Sequence, residues 1–80
     1  MTQASSPQKR LSQSPKGQTQ HIKALTGDQE LNRRLREMGF YEGASVLVRS
    51  RMPFGGPLVI EIDDFSVALR STEAESIEVA

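Results

Sequence analysis

Eighty residues can hold one small domain and leave no room for a second. Ten basic residues balance ten acidic ones, and the pI near 6.6 lacks the basic footprint of a dedicated nucleic-acid binder, where a domain pI above ~9 is usual. Without cysteine there is no disulfide, thiolate zinc site or cysteine nucleophile, and one histidine cannot build a histidine-rich metal site.

No apolar run approaches the ~18 residues of a membrane span, and the first thirty residues lack the apolar stretch of a signal peptide. The expectation is a small soluble cytoplasmic domain. Charge divides the chain. Residues 1–23 carry Lys9, Arg10, Lys16 and Lys23 with no acid (+4), whereas residues 24–80 carry six arginines against ten acids (−4). The opening stretch is rich in Gln, Ser and Pro, with Leu11 its only large aliphatic side chain. It offers too little apolar surface to offset ordering entropy. Residues 1–10 are expected to be a disordered tail, with the folded domain spanning residues 11–80 and Leu11 the first side chain on it.

From Gly17 the pattern is denser. Residues 18–25 read as a strand, Ile22 and Ala24 alternating with His21 and Lys23. Thr26-Gly27-Asp28 then forms a turn in which Thr26 or Asp28 caps a helix, with Gln29 at capping-box spacing from Thr26. Leu31, Leu35 and Met38 recur at i, i+4 and i+7, one apolar stripe on a short helix, and Gly39 follows as a left-handed terminator. Beyond it the period becomes two. Val46, Val48 and Ser50 form one face, Leu58, Ile60 and Ile62 a second, and Phe65, Val67 and Leu69 a third. Pro53-Phe54-Gly55-Gly56-Pro57 separates the first two runs, and Asp63-Asp64 is a two-residue hairpin turn that suits type I′. Ser71 caps a single helical turn through Ala74, and Ile77 and Val79 make a last short strand. Five strands with one helix after the first predict a mainly β fold, a small antiparallel barrel. A domain of ~60 residues is thermodynamically marginal, and barrel closure would hide its strand edges.

The run Arg34-Leu35-Arg36-Glu37-Met38-Gly39-Phe40, then Gly43, Val46 and Val48, Pro53–Pro57, Ala68-Leu69-Arg70, Glu73-Ala74 and Ile77 resembles the FeoA family of ferrous iron transport accessory proteins. The resemblance runs from about Gly17 to Val79. It implies an SH3-like barrel with a helical insertion, in a cytoplasmic protein that binds and regulates the FeoB-type Fe(II) membrane transporter on its GTPase side. It also implies a family-level link to transition-metal ions and to iron uptake in bacteria. The same barrel forms the C-terminal domain of some metal-dependent repressors. Two departures stand out: Gly55-Gly56 replaces the family's Gly-Asp in the proline loop, with Phe54 for the usual Leu, and Asp63-Asp64 replaces a glycine turn.

Each candidate site also has a plainer role. Glu61, Asp63, Asp64 and His21 include no sequence-near His–carboxylate pair, so no metal ligand and no cofactor is assigned. Gly39 and Gly43 lack the lysine of a phosphate-binding loop, and no nucleophile–base pair supports an enzyme. Arg33 and Arg36 offer a charged helix face for a partner; their plainer role is pairing with Glu30 and Glu37. Met52, Pro53, Phe54, Gly55 and Gly56 form the favoured partner-binding loop, the alternative being that Phe54 plugs the barrel end. Arg49, Arg51 and Arg70 carry a second reading, a small-barrel nucleic-acid binder or repressor-type regulatory domain. The leading reading has no nucleic acid and no membrane insertion, and leaves weak self-association open.

Overall fold

The computed structural model describes residues 9–80, so the first eight residues of the expected tail lie outside it. Six strands appear where five were expected: β1 (Lys9–Arg10), β2 (Thr19–Leu25), β3 (Ser45–Arg51), β4 (Leu58–Ile62), β5 (Phe65–Leu69) and β6 (Ile77–Val79). Helix α1 spans Gln29–Glu37, a single turn α2 spans Ser71–Ala74, and a 3₁₀ turn covers Leu11–Gln13. The added strand is β1, where Lys9 pairs with Val79 and Arg10 with Glu78. Lys9 and Arg10, expected in the tail, are therefore part of the sheet. A two-residue strand has no period to read; it exists because β6 offers a partner.

All strand pairs are antiparallel, in the order β1-β6-β2-β3-β4-β5. Register shifts between Ile22 and Ala24, against β6, and between Val48 and Ser50, against β4. Such bulges bend and twist a strand. The bending lets Ile22, Val46, Val48, Leu58, Ile60, Ile62, Leu69, Ile77 and Val79, from five strands, share one core with Leu11, Leu35 and Phe40. The barrel is not closed by hydrogen bonds. Among the described residues β1 and β5 remain its edges, so the expected hiding of both edges is incomplete.

Helix α1 follows its sequence closely. Asp28, not Thr26, is the cap, its Oδ1 accepting the Leu31 N–H at 2.8 Å. Leu35 is buried, and Leu31 and Met38 pack against the core at its margin. At the other end Gly39 has φ +103°. Its N–H donates to Arg36 O at 3.0 Å, and the Phe40 N–H donates to Leu35 O at 2.9 Å, the double bond of a Schellman termination. Phe40, thereby turned inward, is fully buried.

Two turn expectations change. The Asp63-Asp64 hairpin has two residues, as read, but only Asp63 has positive φ (52°), whereas type I′ needs it at both positions. Ser71 does not cap α2. Arg70 occupies that place, its N–H donating to Glu73 Oε1 at 2.9 Å, and the Ser71 hydroxyl donates to Gly55 O at 3.1 Å.

Candidate partner-binding site

The β3–β4 connection projects the most exposed apolar group among the described residues. Phe54 is 103% exposed and Met52 53%, so Phe54 does not plug the barrel. The loop is nonetheless well held. The Met52 N–H donates to Pro57 O at 3.0 Å and the Gly56 N–H to Pro53 O at 3.2 Å. Phe54 (φ 60°) and Gly55 (φ 73°) are both left-handed, the combination of a type I′ turn. Asn-Gly is the usual pair for that turn, because a left-handed conformation costs about 1–2 kcal/mol for a residue with a Cβ. A phenylalanine holding that position, and contributing no burial, is an aromatic presented to solvent at a conformational cost. Gly56 is dictated by packing instead: a Cβ there would lie 2.8 Å from Met52 Cβ. The bond from Ser71 ties the loop to α2, so the tip rests on a fixed base.

The arginines are largely engaged within the chain. Arg33 bridges Glu30 at 2.5 Å and Glu37 at 2.6 Å along one face of α1. The Arg33 hydrogen bond and positive charge hold the Glu30 carboxyl below its usual range. Arg36 reaches Glu42 at 3.4 Å, and Arg34 lies 3.9 Å from Glu73 across a shallow groove between α1 and α2. Arg33 and Arg36 belong to α1, whereas Met52–Gly56 lie on the β3–β4 connection. Arg49 pairs with Glu61 at 2.5 Å. Arg51 donates to Ser12 O at 2.9 Å and Ser14 O at 2.7 Å, clamping the 3₁₀ turn. Two of the three arginines of the nucleic-acid reading thus have partners in the chain itself. Sequence reasoning missed this clamp, because its acceptors are backbone carbonyls some forty residues away.

Among the described residues no group of three or more His, Asp or Glu side chains converges to hold a metal ion. Nor is any helix among them long and apolar enough to cross a membrane.

One bent antiparallel sheet around a single core, with a helix inserted after β2 and a turn before the last strand, defines a small SH3-like barrel. A family model for the FeoA domain matches residues 9–80, and the chain belongs to the FeoA family, whose members are linked to ferrous iron transport. Solved structures agree. The iron(II) transport protein A of Clostridium thermocellum is 35% identical with a TM-score of 0.83, covering 89% of this chain; this chain spans only 44% of that one. The FeoA of Stenotrophomonas maltophilia, determined with zinc and described as a prokaryotic SH3 domain protein and candidate ferrous iron transport activating factor, is 29% identical with a TM-score of 0.79, covering 90% and 89% of the two chains. A manganese-dependent transcriptional repressor matches at 25% identity and a TM-score of 0.82, over 95% of this chain and 42% of its own. No curated protein matches the sequence significantly.

Proposed function

We propose that this protein is a non-enzymatic cytoplasmic accessory factor that binds the cytosolic GTPase side of a FeoB-type Fe(II) transporter and regulates it by contact through the Met52–Pro57 loop. Iron, on this reading, is the transporter's cargo. The observation that carries it is Phe54, a fully exposed aromatic fixed in a left-handed turn on a braced loop. Exposed aromatics anchored on rigid supports are typical centres of protein contacts. Arg33 and Arg36 would contribute as a peripheral charged face. The test is a titration against the transporter's cytosolic part, parent beside Phe54→Ala. Truncating an anchoring aromatic costs about 2 kcal/mol or more, a loss near thirtyfold in affinity. A folded Phe54→Ala protein that binds and supports Fe(II) uptake like the parent removes the loop from the interface.

The likeness to a manganese-dependent repressor favours a second reading, a regulatory module acting on another polypeptide or on DNA. Titration against DNA at two salt concentrations separates them: a steep salt dependence belongs to nucleic-acid binding.

A further inference from the structure

We propose that two copies of this domain pair edge to edge through β5, antiparallel about a two-fold axis at Val67. The inference is independent of transporter binding and begins with what the edge lacks. Natural edge strands are blunted by charge, proline, bulges or brevity. Phe65–Leu69 carries no charge and no proline. Its five pairs with β4 run without a register shift, although two other strand pairs in the sheet contain one. The opposite edge, β1, is only two residues long.

The unused backbone groups can be assigned. The two-residue turn makes Ile62 and Phe65 a hydrogen-bonded pair, so alternation directs the backbone N–H and C=O of Phe65, Val67 and Leu69 toward β4 and those of Ser66 and Ala68 outward. Ser66 and Ala68 are both exposed. In an antiparallel pair centred on Val67, Ser66 of each copy faces Ala68 of the other, and both face with their free groups. Four new backbone hydrogen bonds form.

Side chains fit the same register. Phe65, half-exposed, comes opposite Leu69 of the second copy, and Val67 meets Val67, extending the apolar row across the axis. One step further out, Asp64 faces Arg70 of the second copy. Among the described residues neither has an ion-pair partner within its own chain. Symmetry makes that attraction twice. A register shifted by two residues in either direction would lose the central Val67 pair, the Phe65–Leu69 match and the Asp64–Arg70 match together; the self-complementarity therefore selects one alignment. The occupant of the β5 edge is a second copy of this chain.

Sedimentation equilibrium of the full chain at concentrations up to about 1 mM tests this, the range in which weak edge-to-edge pairs form. The parent is expected to show a reversible monomer–dimer equilibrium. Ser66→Pro removes an N–H that points away from β4, a position an edge strand tolerates, and should abolish the dimer with the circular dichroism spectrum unchanged. Asp64→Arg and Arg70→Asp should each weaken dimerisation about tenfold or more, two symmetric attractions becoming repulsions, and the double variant should recover it. A parent that stays monomeric throughout, a Ser66→Pro protein that dimerises as the parent does, or a double variant that fails to recover overturns the proposal.

Discussion

Replacing Gly39 with alanine isolates a single physical quantity, the cost of a left-handed backbone at the end of α1. An added Cβ would lie 3.6 Å from Phe65 Cζ and 3.8 Å from Ile62 Cδ1, ordinary contact distances, so steric overlap contributes almost nothing. The φ of +103° is what an L-residue resists, at about 1–2 kcal/mol. Relaxing that angle would pull Phe40 from its bond to Leu35 O, and both side chains are core residues. The strain therefore has to be borne rather than relieved. A domain of this size has about 4–11 kcal/mol of stability in all. The expected loss is about 1–2 kcal/mol, or about 4–16 °C in Tm at the 4–8 °C per kcal/mol typical of 60–100 residues. Gly39→Val adds a β-branch and should cost more. Chemical synthesis supplies the decisive comparison, since D-alanine at position 39 prefers the positive φ that L-alanine resists. Urea denaturation of the three proteins should rank them D-Ala, Gly, L-Ala. An L-alanine protein within about 0.5 kcal/mol of the parent, in the range of an innocuous surface change, would refute the strain argument.

Other perturbations give equally definite outcomes. Glu78 is buried on β6, and among the described residues its Oε2 has no hydrogen-bond partner, so Glu78→Met should raise stability by about 1–3 kcal/mol in thermal denaturation. Because Arg33 depresses the Glu30 carboxyl in the folded state, the contribution of that pair is present above the ordinary carboxylate range and is lost as pH falls through the lowered value; NMR titration should place the Glu30 midpoint lower in the parent than in Arg33→Gln. At Gly27, where φ is not positive, an added Cβ would meet at 2.8 Å only the movable Cδ2 methyl of half-buried Leu31, so Gly27→Ala should change stability by less than about 0.5 kcal/mol in urea denaturation. Chelator should leave the Tm within about 1 °C, since no clustered ligand set couples metal to folding among the described residues.

What could be read from the sequence was what local chemistry determines. The Leu31, Leu35, Met38 stripe and Gly39 fixed α1 and its end, and alternation in 58–62 and 65–69 fixed a hairpin, because each signal lies within a few residues of its effect. Non-local features were not legible. β1 depends on β6 some seventy residues away, and the Arg51 clamp depends on two carbonyls of the N-terminal segment. Turn geometry exchanged places: Asp63-Asp64 has the composition of a two-residue left-handed turn, yet Phe54-Gly55 adopts one. The loop's closing bonds to Pro57 and Pro53 select it over the preference of phenylalanine. The candidate loop was recognisable from its prolines and glycines, while the full exposure of Phe54 needed coordinates.

Pairing of β1 with β6 sets Lys9 beside Val79, so the two ends of the described chain leave the barrel together. A domain with adjoining ends can be inserted into a loop of another protein, or circularly permuted through a short linker, with every strand pair kept. Cutting such a permutant between Gly55 and Gly56 would remove the bond from the Gly56 N–H to Pro53 O and release the turn that holds Phe54 left-handed. The barrel is indifferent to which loop carries its ends; the presentation of Phe54 is not.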